Sequence, residues 1–171
     1  MIVADASPLI VFAKVGRLRL LKELYDEVLI GPVVKEETID AGKVVRALGV
    51  EQLEAAMEDG WLQTVRLTSE EQNLLQQLGA RSRLDQGETE SIALASVRSL
   101  HLLVDDKEAR SVAAAAGIEH LGTIGALLEA YMRGHLDLEK LEVTVQDITQ
   151  FLWLSPSVVA EVLRIAREGK K

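Results

Sequence analysis

Short apolar runs that stop at acidic or turn residues, each followed by a helical stretch, constrain this chain most. Residues 2–4 (Ile-Val-Ala) are closed by Asp5, and residues 100–104 (Leu-His-Leu-Leu-Val) are closed by Asp105 and Asp106. Runs this short and this apolar read as strands buried on both faces. Residues 27–30, 61–67 and 118–121 read as further strands. Helical segments are predicted between them. Ser7 as N-cap and Pro8 at the first helical position open one that Gly16 ends, and residues 17–25 form another. Gly31-Pro32 opens a helix through about residue 40. Others are expected over 43–59, 69–78, 87–99, 107–116, 123–133, part of 137–154 and 157–168. This alternation predicts an α/β fold, with a mainly parallel central sheet flanked by helices and a C-terminal helical extension.

A length of 171 residues fits one domain with a substantial core. Hydrophobic residues at 48% and charged residues at 27% exclude a disordered or collagen-like chain. Cysteine is absent, which removes disulfide scaffolds, thiolate catalysis and zinc–thiolate sites. No apolar run approaches the ~18 residues of a membrane span. The opening segment lacks a basic n-region and is interrupted by Asp5, so it reads as folded protein rather than a signal peptide. A cytoplasmic location with no membrane partner is the resulting expectation. The net charge of −8 repels nucleic acid unless basic residues or cations gather locally.

Chemistry must therefore come from carboxylates. His101, His120 and His135 show no ligand spacing and read as packed or surface residues. Ligands of open parallel sheets collect beyond the carboxyl ends of strands. If the two strands ending at Asp5 and at Asp105-Asp106 are neighbours, their carboxylates converge. Such a cluster repels itself unless a cation is present, and Mg2+ or Mn2+ suits oxygen ligands. Each residue also has a plain alternative: Asp5 prepares a turn, and Asp105 or Asp106 caps the following helix. Glu36 and Glu37 follow Pro32; alone they would be a solvated helix face. Asp85, Glu88 and Glu90 precede a very apolar helix, and Asp85 with Glu88 also has the spacing of a capping box.

These motifs, in this order, resemble the PIN-domain nucleases, especially the VapC-type toxin-like members. Val3-Ala4-Asp5-Ala6-Ser7-Pro8 is similar to the family's first motif, and Gly31-Pro32-Val33-Val34-Lys35-Glu36-Glu37 to its second, with Glu37 as the best match. Gly87-Glu88-Thr89-Glu90-Ser91-Ile92-Ala93 resembles the third, and Leu103-Val104-Asp105-Asp106-Lys107 the fourth. Gly122-Thr123-Ile124-Gly125 resembles a glycine-rich turn of one subgroup; read alone it is either a tight strand-to-helix connection or a phosphate cradle. Two positions depart from the pattern. Glu88 stands where many members have Asp, and Val104 stands where many have Thr.

The resemblance covers residues 1–135, read as a PIN-like nuclease domain; residues 136–171 read as a helical extension packed on it or on a partner. It implies a metal-dependent ribonuclease, with catalytic Asp5, Glu37, Glu88 and Asp106. Mg2+ or Mn2+ is held by these residues with support from Asp105. Asp85 and Glu90 are second choices, and Glu36, about 100° from Glu37 on a helix, faces outward. RNA is the implied substrate, and a small antitoxin protein is the implied partner of a toxin. Lys14, Arg17, Arg19, Lys22, Arg81, Arg83, Lys107 and Arg110 are candidate phosphate contacts. Aromatics at 4% argue for backbone or shape recognition rather than base stacking. The apolar face of the last helix (Val158, Val159, Val162, Leu163, Ile165) implies packing on its own domain or a homodimer. Two rival readings remain: a PIN-fold binding module with a degenerate site, suggested by the altered third and fourth motifs, and a Mg2+-dependent aspartyl-phosphate domain. The second leaves Glu37 and Glu88 without a role and finds no lysine near the last strand.

Overall fold

β1 (Ile2–Ala4) sits at the centre of a parallel sheet in a computed structural model of the chain, which describes residues 1–168. The other strands are β2 (Val28–Ile30), β3 (Leu62–Thr64), β4 (Leu102–Leu103) and β5 (His120–Leu121), in the spatial order β3-β2-β1-β4-β5. The helices in chain order are α1 (Ala6–Lys14), α2 (Arg19–Tyr25), α3 (Pro32–Lys35), α4 (Ala41–Val45), α5 (Val50–Glu58) and α6 (Ser69–Gly79). They continue with α7 (Gln86–Arg98), α8 (Lys107–Ala115), α9 (Thr123–Met132), α10 (Leu138–Ile148) and α11 (Pro156–Glu168). The expected α/β architecture is therefore present.

Strand alternation divides the core into two layers. Ile2, Ala4, Val28, Ile30, Leu62 and Leu103 point to one face, under α1, α2, α5, α9, α10 and α11. Val3, Leu29, Leu102 and Val104 point to the other, under α7 and α8. Both faces are covered, so the three inner strands β2, β1 and β4 are apolar at successive positions, while the edge strands β3 and β5 carry polar, half-buried residues. The chain runs outward from β1 through β2 to β3, then returns to the other side of β1 for β4 and β5. A crevice opens at such a reversal, beyond the carboxyl ends of the two strands concerned. Here those strands are β1 and β4, paired Val3 to Leu102 and Ala4 to Leu103. The Asp5 N–H still donates to the Leu103 carbonyl (2.9 Å), so Asp5 and Asp105-Asp106 leave the sheet side by side.

The C-terminal helices pack on the chain itself. Leu136, Leu141, Val145, Ile148, Val162 and Ala166 join the same buried layer as Ile2 and Ile30. The Tyr131 hydroxyl donates to the Ala166 carbonyl (2.9 Å), and Arg167 pairs with Glu142 (2.6 Å). Of the predicted apolar face, Val162 is buried and Val159, Leu163 and Ile165 are half-buried, while Val158 stays exposed. Residues 169–171 of the predicted extension lie outside the described residues. Among the described residues, no helix is long and apolar enough to cross a membrane.

Three local expectations need correction. The first helix starts at Ala6 with Asp5, not Ser7, at its N-cap. Pro8 lies within its first turn, where a missing N–H costs nothing. The helix expected over 43–59 is broken. Arg46 turns left-handed (φ 51°), and Gly49 (φ 89°) brings the chain so close to α1 that a β-carbon would sit 2.7 Å from the Ala13 carbonyl carbon. The helix opened by Pro32 continues to Val45 but widens into a π-helical turn at Glu36–Asp40.

Candidate active site

Asp5 ends β1 and occupies the N-cap position of α1, but its carboxylate makes no capping hydrogen bond. It lines a cavity of about 610 Å³ at the β1–β4 reversal and is only 5% exposed. Burial pushes its carboxyl up to about 7, and the charges of Asp85 and Glu88 push the same way. The Ala6 and Ser7 N–H groups offset part of that rise.

The two aspartates after β4 divide their work. Both Asp105 oxygens accept hydrogen bonds, one from the Thr123 N–H (2.7 Å) and the other from the Thr123 hydroxyl (2.6 Å), with Ser7 Oγ at 3.4 Å. Asp105 thereby fills the N-terminus of α9, and a β-carbon on Gly122 would sit 2.8 Å from its Oδ1. The Gly122–Gly125 turn is therefore a tight strand-to-helix connection. Asp106 is exposed toward the cavity and caps α8 with one oxygen, accepting from the Ala109 N–H (2.8 Å).

α7 brings the third pair of acids. Asp85 and Glu88 form a reciprocal capping box: the Glu88 N–H donates to Asp85 Oδ1 (2.8 Å), and the Asp85 N–H donates to Glu88 Oε2 (2.9 Å). Both still line the cavity. Burial raises the Glu88 carboxyl, helped by the charges of Asp85, Asp106 and Glu108. Glu37 arrives from the π-helical turn, a deformation that re-aims side chains and is frequent at functional sites. Its carboxylate lies against the start of α7, where a β-carbon on Gly87 would be 2.7 Å from Glu37 Oε2. Burial raises Glu37 too, followed by the charges of Asp85 and Glu36.

The structure thus brings Asp5, Glu37, Asp85, Glu88, Asp105 and Asp106 to one cavity, while Glu36 is exposed and does not line it. Glu90 points elsewhere. Its buried Oε2 accepts from the Val33 N–H (3.0 Å) and caps α3 from across the fold. Gly31 makes room for it; a β-carbon there would lie 2.0 Å from that oxygen. Glu90 therefore clamps the Glu37-bearing helix against α7. Its carboxyl is raised by burial, partly offset by the Val34 and Val33 N–H groups.

Lys14 and Lys107 line the cavity, but Arg17 is turned inward to Thr144 Oγ1 (3.2 Å). None of the three histidines lines the cavity. Phe151 and Leu152, between α10 and α11, were not anticipated there. Their nearest signal in the sequence is the cluster Phe151-Leu152-Trp153-Leu154 just before Ser155-Pro156. Lys14 Nζ stands 5.2 Å above the Phe151 ring, a cation–π contact that ties this segment to α1.

Among the described residues, no three carboxylate or imidazole groups stand close enough together to hold a metal ion as the side chains lie. The donors are nonetheless of one kind. They are carboxylate oxygens without sulfur or imidazole, the set that hard divalent cations take.

A parallel sheet reversing at β1–β4, with acids from two strand ends and two helices around the crevice, defines a class. The family model DUF3368, described as a PIN domain, matches residues 1–168. The chain belongs to this PIN-domain family, whose fold is a nuclease fold. The match runs beyond residue 135 and takes in α10 and α11. PIN domains are usually nucleases that use divalent metals. No curated protein matches the chain.

Proposed function

We propose that the protein is an endoribonuclease that hydrolyses RNA phosphodiester bonds with Mg2+ or Mn2+. The observation that carries this reading is the buried Asp5 carboxylate, raised toward neutrality, in a crevice with Glu37, Glu88 and Asp106. Burial first, and the neighbouring carboxylates after it, disfavour the Asp5 charge, and a bound divalent cation relieves both. Asp5, Glu37, Glu88 and Asp106 hold the cation, which when bound activates water and offsets charge on the transferring phosphate oxygens. Asp105 acts indirectly, because its oxygens pin α9 to the end of β4. Asp85 orients Glu88 through the capping box. Lys14 and Lys107 give the entering phosphate its protein cations.

The toxin-like resemblance extends this reading to the toxin of a toxin–antitoxin pair acting in the cytoplasm, inhibited by a small protein. Exposed Val44, Val45 and Leu48, beside the Glu37 turn, supply an apolar surface for that protein or for a second copy in a homodimer. Size-exclusion chromatography with light scattering tests the dimer, and a clean monomer refutes it. A second reading, the binding module, is favoured by one observation: Asp85, Glu88 and Asp106 already serve as helix caps.

Cleavage of a mixed RNA pool by the parent and by Asp5→Asn, with and without Mn2+, separates the two. Mn2+-dependent cleavage by the parent alone is expected. An Asp5→Asn protein that cleaves as well as the parent refutes the assignment, and a parent that neither cleaves nor binds Mn2+ leaves the binding module.

A further inference from the structure

A second groove, of about 540 Å³, opens beside the carboxylate cavity and shares Asp105, Lys107 and Leu152 with it. Trp153, Leu154 and Val158 line it from the chain before and within α11, and Arg110 lines it from α8. Trp153 is 86% exposed, so a large aromatic surface is in water beside the site. Lys107 and Arg110 make no ion pair among the described residues, and both line this groove. The groove therefore sets two cations beside a bare indole on a chain of net charge −8.

We infer that this groove binds single-stranded RNA next to the scissile phosphate, with an unpaired base stacked on Trp153 and the neighbouring phosphates on Lys107 and Arg110. The inference rests on the ribonuclease reading above and adds the residues that hold the nucleotide beside the cut. A flat apolar face joined to an anion is nucleotide chemistry, and aromatic stacking with flanking cations is how single strands are held. A base within a duplex has both faces covered by its neighbours, so it cannot offer one to the indole. Continuity with the carboxylate cavity places the stacked nucleotide beside the bond to be cut. Recognition by stacking departs from the expectation drawn from the low aromatic content; one well-placed aromatic is sufficient.

Tryptophan fluorescence of the Asp5→Asn protein in chelator reads binding without cleavage. Trp61 is buried, so quenching by RNA reports on Trp153. A short mixed-sequence single-stranded oligoribonucleotide should quench it, and the same sequence as a duplex should bind much more weakly. Anisotropy of an end-labelled oligoribonucleotide reads the variants that lack this reporter: Trp153→Ala should weaken single-strand affinity about 5- to 150-fold, the range of one base stacked on an aromatic, and Trp153→Phe should restore most of it. In the parent background, Trp153→Ala should raise KM for single-stranded RNA with little change in kcat.

Unquenched fluorescence, equal affinity of Trp153→Ala, or equal binding of duplex overturns the inference. Quenching that follows protein concentration without RNA also overturns it, assigning the groove to a second copy. Mn2+-dependent cleavage unaffected by Trp153→Ala would remove the groove and leave the nuclease. Stacking that follows these patterns in a protein that never cleaves would uphold the groove and remove the nuclease reading.

Discussion

Asp5→Asn should make the metal-free protein more stable, and only above about pH 4. The Asp5 carboxyl ionises at 3.8 in an ordinary setting and at about 7 in the fold, chiefly because it is buried. Between those values the unfolded chain has released this proton and the folded chain has kept it. Stability therefore falls as pH rises through that window, by about 1.4 kcal/mol per pH unit. The full loss above pH 7 is about 4 kcal/mol, and the 5% exposure of the side chain leaves little solvent screening to reduce it. Asparagine keeps the size and the acceptor facing the Ala6 and Ser7 N–H groups but cannot ionise. Relative to the parent, it should gain about 4 kcal/mol at pH 8, about 2 at pH 5 and close to none below pH 4.

For a chain of this length, the pH 8 gain is a rise in melting temperature of roughly 8–16 °C. Circular dichroism melts in chelator measure it. Mn2+ at about a hundred times its dissociation constant should return about 2.7 kcal/mol to the parent and none to the variant. Equal stability at pH 8, or a gap as large at pH 4 as at pH 8, would refute the account of Asp5 as a carboxylate buried at a cost.

Gly87→Ala should cut cleavage at least about tenfold while shifting stability by under about 1 kcal/mol, because the new methyl displaces the exposed end of Glu37 and nothing in the core; parallel melts and cleavage assays check this. Gly31→Ala should behave in the opposite way. It drives Glu90 off the Val33 N–H and leaves a buried carboxylate unsatisfied, costing about 2–3 kcal/mol by urea titration. Arg98→Ala should cost about 3 kcal/mol at neutral pH, since it strands the fully buried Glu71 that Arg98 Nε binds at 2.6 Å. Burial raises the Glu71 carboxyl, but Arg98 and Thr68 outweigh it and hold it below its ordinary value. The stability this provides is present at neutral pH and lost as pH falls, so the gap between Arg98→Ala and parent should close in acid denaturation.

Much of this protein was legible without coordinates because its signals are local. Residues 2–4 read as a two-faced buried strand, and so do residues 100–104, of which Leu102 and Leu103 form the strand; the acids that follow mark where the chain leaves the sheet. The Asp85–Glu88 spacing announced a capping box that is present. Less local features were harder to see. Asp5 displaces Ser7 from the N-cap because α1 begins as soon as β1 ends, and the π-helical turn that aims Glu37 has no signature in the residues that form it.

The sequence alone determined the alternating parallel architecture and which acids stand at strand ends and helix starts, since hydrophobic period and capping chemistry act within a few residues. The tertiary structure decided that β1 lies beside β4, so that acids a hundred residues apart share one cavity. It separated Asp105, which pins α9, from Asp106, which faces the cavity, and Glu90, which clamps α3, from Glu88. It also brought Phe151 and Trp153 from the far end of the chain to the edge of the site. These outcomes depend on strand order and on helices packing across the sheet, and no short window of residues encodes either.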